Sequence, residues 1–259
     1  MPLDARFAKL FDLSGRTALV TGGSSGIGRA MAEALAGAGA HVLLAARRQD
    51  ALELTVRAMT SSGWRASAEA VDVADRASVA ALLARLRDAR RHVDILVNAA
   101  GVNLRVPFET LSDDDWDATM AANVTGPFLL TRGLAPAMAA RGWGRIVNVA
   151  SQQAVRAFGH SGAYGASKGA IVSLTRSTAE RWSSKGVTCN ALMPGFVITP
   201  LTAEASKDPA RVAAMAGRTM IGRNGHPDDF HGVTLLLASD AGAMITGSML
   251  YVDGGFSAT

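Results

Sequence analysis

The chain has 259 residues, 49% of them hydrophobic and 19% charged, with 27 glycines and one cysteine. That balance excludes a disordered or fibrous chain, a disulfide framework and a sulfur-rich zinc cluster. The net charge is +4, but of the 26 basic residues all except Lys9, Lys168, Lys185 and Lys207 are arginines spread from Arg6 to Arg223, which argues against a concentrated nucleic-acid-binding block.

Short apolar runs alternate with longer helical patterns along the whole length. Thr17 to Thr21 reads as a first strand, and Ile27, Met31, Ala34, Leu35 and Ala38 mark one face of the helix after it. His41 to Ala46 is the second strand, followed by a helical stripe of Leu52, Val56 and Met59. A third strand is expected at Ala66 to Val71, and its helix buries Val79, Leu82, Leu83 and Leu86. Arg85, Arg87, Arg90 and Arg91 fall late in that helix, where cations complement the helix dipole.

Asp94 to Asn98 and Arg145 to Val149 give the fourth and fifth strands. Two long helical stretches follow them, near 113–140 and 163–184. Val187 to Leu192 and Leu250 to Val252 supply the sixth and seventh strands. Near-continuous apolar strands separated by helices predict an α/β fold with a parallel sheet covered on both faces. With no Pro/Ser-rich linker and no internal repeat, one domain is expected over 1–259, with a cofactor half at about 14–150 and a catalytic and substrate half at about 151–259. No apolar run approaches the ~18–20 residues that cross a bilayer. The first sixteen residues contain Asp4, Lys9 and Asp12 and no continuous apolar segment. A cytoplasmic protein is expected, with no membrane or nucleic-acid partner and no metal.

At the first strand–helix junction stands Thr21-Gly22-Gly23-Ser24-Ser25-Gly26-Ile27-Gly28. Gly22 permits a tight turn, Gly26 lets backbone approach a pyrophosphate, and Gly28 lets helix pack on strand. The helix N-terminus offers free N–H groups and partial positive charge to phosphates. This spacing of Thr-Gly and two later glycines resembles the short-chain dehydrogenase/reductase family, whose fold is one Rossmann-like doubly wound domain with a seven-stranded parallel sheet.

Other stretches carry the resemblance in order. Asn98-Ala99-Ala100-Gly101 is similar to the family's Asn-Asn-Ala-Gly, with Ala for the second Asn, and Asp253-Gly254-Gly255 lies near the end. Asp72 and Val73 follow the third strand, where relatives contact adenine. Asn190 to Thr199 resembles the segment that cups nicotinamide, with Pro194, Gly195, Val197 and the Thr199 hydroxyl as implied contacts. The second strand ends at Ala46, where an acidic residue would grip a ribose 2′-OH, and Arg47 follows. A guanidinium without a carboxylate favours the 2′-phosphate of NADP(H) over NAD, although Ser25 stands where many NADP-using relatives carry a second basic residue.

Tyr164 and Lys168 lie four residues apart in a helical stretch, on one face and roughly 5–6 Å apart. Ser151 ends the fifth strand at the family's spacing from Tyr164, and Asn123 matches the family's active-site Asn. A free phenol, with pKa near ~10, is a poor acid or base at neutral pH. The Lys168 ammonium and a nicotinamide's positive charge are expected to lower it. Tyr164 then exchanges a proton with the substrate oxygen while Ser151 hydrogen-bonds that oxygen. The resemblance further implies that Lys168 binds the nicotinamide ribose, that Asn123 holds a proton-relaying water, and that the protein is a homotetramer.

The substrate pocket is expected from Val102 to Arg105, Gln152 to Phe158, His160, Phe196 and a lid at about 200–220. Arg105 and Arg156 could bind a carboxylate, and Gln152 and Gln153 could bind hydroxyls. His160 and Phe196 read as pocket wall. The stretches around Gln152 and Arg105 resemble members that oxidise sugar acids such as gluconate at C5. The alternatives are a 3-oxoacyl-thioester reductase, disfavoured by non-basic Pro136 and Glu180 at the carrier-docking positions, and a non-catalytic dinucleotide sensor, disfavoured by the complete Asn–Ser–Tyr–Lys set.

Overall fold

The computed structural model describes residues 4–258. In chain order, α1 (Ala5–Leu10) is followed by β1 (Thr17–Thr21), α2 (Gly26–Gly37), β2 (His41–Ala46), α3 (Gln49–Ser61), β3 (Ala66–Ala70), α4 (Arg76–Asp88) and β4 (Ile95–Asn98). Then come α5 (Asp113–Met120), α6 (Gly126–Ala140), β5 (Gly144–Val149), α7 (Gly162–Trp182) and β6 (Val187–Pro194). Two short helices, α8 (Ala203–Ser206) and α9 (Pro209–Gly217), precede α10 (His231–Ala238) and β7 (Met249–Val252).

The strands form one seven-stranded sheet in the order β3-β2-β1-β4-β5-β6-β7, every pairing parallel. Strand order reverses direction between β1 and β4, and that switch point opens a crevice at the carboxyl ends of the strands. Period-two alternation in the sequence divides the core. Ala18, Val20, Val42, Leu44, Ile95 and Val97 face Met31 and Leu35 of α2 and Leu237 of α10. Leu19, Leu43, Ala45 and Leu96 face Leu82 and Leu86 of α4 and Leu130 and Leu134 of α6. Burying each of the larger side chains stabilises by about 1.5–3 kcal/mol relative to exposure.

The edge strand β3 is only half-buried. Its Glu69 pairs with Arg91 at 3.2 Å and Arg85 at 3.5 Å, so two cations of the basic cluster are spent on this edge. Asp75 caps α4 and Ser112 with Asp115 forms a capping box on α5. Among the described residues, no helix is long and apolar enough to cross a membrane.

One expected element is not continuous. The stretch near 113–140 is two α-helices joined by a π-helical turn at Ala121–Thr125, which carries Asn123. The cause is visible in the sequence. Pro127 stands four residues after Asn123 and has no N–H, so the Asn123 carbonyl loses its α-helical donor and the ladder shifts register.

Candidate active site

A cavity of about 410 Å³ lies at the switch point. Its walls come from the turn after β1, the turn after β4, the end of β5, the start of α7 and the segment after β6. Each functional side chain is therefore carried to the site by the end of a buried strand or by a helix packed on the sheet.

The β1–α2 turn is made of backbone. Gly22 has φ of +68°, and a Cβ there would sit 2.9 Å from the Ala100 nitrogen. A Cβ on Gly28 would sit 2.5 Å from the Gly22 carbonyl, so helix and strand meet at a distance only glycine allows. Ser25 precedes α2 and makes no side-chain cap, leaving the first N–H groups of the helix to face the cavity beside Gly26 and Ile27. Thr21 Oγ1 accepts from the N–H groups of Ala99 and Ala100 at 3.1 and 3.2 Å, tying the two turns together. Uncapped helical N–H groups and glycines with no room for a side chain fit a dinucleotide pyrophosphate. Across the cavity the Thr199 side chain closes over Gly26.

On the opposite wall stand Ser151, Tyr164 and Lys168, all buried. Lys168 Nζ donates to the Val149 carbonyl at 2.7 Å and lies 5.5 Å from the Tyr164 ring centroid. Burial pushes the Lys168 ammonium down to about 8. Ser151 Oγ accepts from the Gln153 N–H at 3.1 Å and sits beside the Tyr164 hydroxyl. Asn123 is buried behind them. Its Oδ1 accepts from Val102 N at 2.8 Å, and its Nδ2 donates to Val102 O at 2.9 Å and Ser167 Oγ at 3.0 Å. With the side chain spent on protein, the group left to Asn123 is the backbone carbonyl released at the π turn.

The electrostatics of Tyr164 differ from the sequence-based expectation. Burial raises its pKa above the ordinary value; the Ser151 hydroxyl and the Arg105 charge act against that rise. The expectation assigned the lowering charge to Lys168; the Arg105 guanidinium, expected only as a substrate ligand, also acts on the Tyr164 hydroxyl. Arg105 has φ of 55°, a left-handed conformation that costs a non-glycine residue about 1–2 kcal/mol. The guanidinium so held lines the cavity next to Tyr164. Strain kept at a site of this kind points to use of the side chain.

Other predicted residues divide by position. Ser25, Gly26, Ile27, Gly28, Ala99, Gly101, Pro194, Gly195, Val197 and Thr199 line the cavity, as do Arg105, Gln153, His160 and Phe196. Ser24 does not; its carbonyl accepts from Thr55 Oγ1 at 3.5 Å. Asn98 Nδ2 donates to Asn148 Oδ1 at 2.8 Å, so that side chain ties β4 to β5 inside the sheet. The Asp72 carboxylate accepts from Ala74 N, and the Val73 carbonyl packs on Gly126. Arg47 is exposed just past β2. Arg156 corrects an expectation: its Nη2 donates to the Ser257 carbonyl at 2.6 Å, outside the cavity wall. The C-terminal segment captures it, and the carboxylate pair imagined for Arg105 and Arg156 is not formed.

Sequence reading missed Asn103 and Arg211 as individual site residues. Both line the cavity, as does Gln152, and the Asn103, Gln152 and Gln153 amide oxygens are buried with no partner among the described residues. Asn103 lay within a stretch expected to form the pocket. Arg211 lay within the expected lid, but a helical pattern alone does not say which face of a short lid helix turns inward.

The family model described as enoyl-(acyl carrier protein) reductase, adh_short_C2, matches residues 22–257. The gluconate 5-dehydrogenase of Gluconobacter oxydans is 37% identical over 248 residues, covering 96% of this chain and 97% of that one. The NAD-dependent glycerol dehydrogenase of Listeria innocua is 36% identical over 256 residues, covering 97% of each. Among solved structures, a gluconate 5-dehydrogenase from Burkholderia cenocepacia in complex with NADP and tartrate superposes with a TM-score of 0.93 at 35% identity, covering 98% of this chain and 99% of that one. The chain belongs to the short-chain dehydrogenase/reductase family and is a dehydrogenase acting on a CH–OH group with NAD(P).

Proposed function

We propose that this chain interconverts a secondary alcohol and a ketone of a polyhydroxy acid, with gluconate the first substrate to test and NADP(H) the preferred carrier. The observation that carries this reading is the wall around Tyr164. Among the described residues three buried amide oxygens, on Asn103, Gln152 and Gln153, have no donor, and the Arg105 guanidinium has no carboxylate within ion-pair distance. All three amide side chains and the guanidinium line the cavity, so a chain of hydroxyl groups ending in a carboxylate would meet amide and guanidinium partners there.

Oxidation removes a hydride from carbon and a proton from oxygen. A nicotinamide bound with its pyrophosphate on the β1–α2 turn would accept the hydride. Tyr164 takes the proton from the substrate hydroxyl, and Ser151 donates a hydrogen bond to the same oxygen. Arg105 favours the phenolate that Tyr164 must become in this direction. Lys168, with its ammonium weakened by burial, stands on the same helix face, one turn below, to pass that proton on. Val102, pinned on Asn123, holds the Arg105 loop against this wall. NADP(H) preference rests on Arg47 beside a second strand that ends in Ala46, and a homotetramer is supported by Trp116 and Phe128, both 40% exposed on α5 and α6.

The test is reduction of NADP⁺ and of NAD⁺ by the purified protein with gluconate, polyols, simple secondary alcohols and 3-hydroxyacyl thioesters. Gluconate with NADP⁺ is expected to give the highest kcat/KM. A thioester or a simple alcohol exceeding it would overturn the reading.

A further inference from the structure

Arg211 stands on α9, in the first turn after Pro209, and faces the same cavity as Arg105 and Tyr164. Among the described residues neither guanidinium has a carboxylate within ion-pair distance, whereas Arg223, just beyond α9, is paired with Asp229 at 2.7 Å. The nearest acid in sequence, Asp208, spends its carboxylate on the N–H groups of Ala210 and Arg211 as the cap of α9. Arg105 is held in a strained left-handed backbone, and Arg211 is carried on a helix with no buried residue. Two like charges therefore line one cavity, one on a strained backbone and one on an exposed helix. Burial, and after it the Arg211 charge, weakens the Arg105 guanidinium's hold on its proton.

Such a pair is unfavourable alone and favourable around an anion. We propose that Arg211 is a specificity-determining residue: with Arg105 it forms a two-guanidinium clamp for the substrate carboxylate, and the clamp draws the α8–α9 lid shut on acids in preference to neutral polyols. This rests on the polyhydroxy-acid reading above. The clamp sets the carboxylate at the lid end of the cavity and leaves the hydroxyl chain to the side-chain amides of Asn103, Gln152 and Gln153, with one carbon at Tyr164. A neutral polyol of the same length meets the same amides but gives Arg211 nothing to close on.

The experiment compares wild type, Arg211→Ala and Arg211→Lys with gluconate and with glucitol, its neutral counterpart. Gluconate affinity is also measured by calorimetry on the NADPH-bound enzyme, which holds the reduced carrier and cannot oxidise the acid. Arg211 is exposed and its side chain holds no bond among the described residues, so the variants are expected to retain the wild-type circular dichroism. Arg211→Ala is expected to weaken gluconate binding about tenfold and to lower the ratio of gluconate to glucitol kcat/KM by about the same factor, with Arg211→Lys intermediate. A gluconate affinity and a substrate ratio that both stay within about twofold of wild type would overturn the clamp, as would a loss that appears in the NADP⁺ KM instead. Wild type that binds gluconate but oxidises neither compound would sink the functional reading and leave the clamp standing.

Discussion

The phosphate loop at one end of the cavity is rooted in β1, whose Ala18, Leu19 and Val20 are fully buried, whereas the lid at the other end stands on α8 and α9, which bury between them only Ala205. The loop recognises its ligand with main-chain N–H groups whose positions follow from the sheet. The lid and its neighbours would recognise theirs with long side chains, Arg105, Arg211 and the glutamines, placed by loops, a short turn and the exposed helix α9. Family-wide chemistry sits on the first material and substrate choice on the second. A change in the loop should therefore disturb folding and carrier binding together. A change in the lid should alter selectivity at little cost to the fold.

The largest effect belongs to the residue between the two regions. Tyr164→Phe removes the proton-transferring hydroxyl and little volume, and is expected to lower kcat by about 10³-fold or more while NADPH binding, read by nicotinamide fluorescence, persists. A variant within about tenfold of wild type would show that another group moves the proton. Next comes one substitution made in both regions. Gly28→Ala drives a Cβ to 2.5 Å from the Gly22 carbonyl, whereas Gly217→Ala, at the end of α9, meets nothing within 4 Å. The first should cost about 1–3 kcal/mol in denaturant unfolding and weaken the carrier at least about tenfold. The second should be neutral, or stabilise by up to about 1 kcal/mol. Equal effects on unfolding would erase the contrast.

A titration tests how dry the catalytic wall is. Burial lowers Lys168 from 10.5 to about 8 and raises Cys189, inside β6, from 9.0 to about 12. Below about 8 the lysine is protonated in both states and its desolvation cost is fully present. Above that value the folded chain gives up the proton first, so the unfolded chain binds more protons and stability rises with pH. Cys189 has the opposite sign: above 9.0 the unfolded thiol ionises first and stability falls. The window from 8 to 9.0 isolates the lysine. Wild type should gain about 1 kcal/mol across it, and Lys168→Met should lose that gain; identical slopes in chemical denaturation would mean the ammonium is solvated.

Most of the fold was legible because both of its signals are local. Alternation in Ala18-Leu19-Val20 and the one-sided stripe from Ile27 to Ala38 each report burial directly. The glycines of the turn and the Tyr164–Lys168 spacing were equally local. What escaped depends on direction in space. Pro127 was present in the sequence, yet its consequence, a π turn at Asn123, appears only when the helix ladder is counted bond by bond. Arg156 and Arg211 look alike as loop and lid arginines; one is turned outward by the Ser257 carbonyl and the other inward by α9. The depth of Tyr164, which raises its pKa, could not be read from residue spacing either.

The smallest expected effect tests the cofactor contact proposed for a charged side chain on the loop side. Arg47 is exposed beyond β2, where the strand ends in Ala46 and offers no carboxylate to a ribose 2′-OH. An exposed guanidinium on a phosphate is screened by water and salt, so its worth is about 1 kcal/mol, well short of a buried pair. Arg47→Ala should raise the KM for NADP⁺ about fivefold and move that for NAD⁺ much less, because only the former carries the 2′-phosphate. Raising the ionic strength should shrink the difference between wild type and variant, since the contact is a screened one. Equal changes for the two carriers would mean that Arg47 supports the turn and does not read the phosphate; the carrier preference would then have to come from backbone, like everything else on that wall.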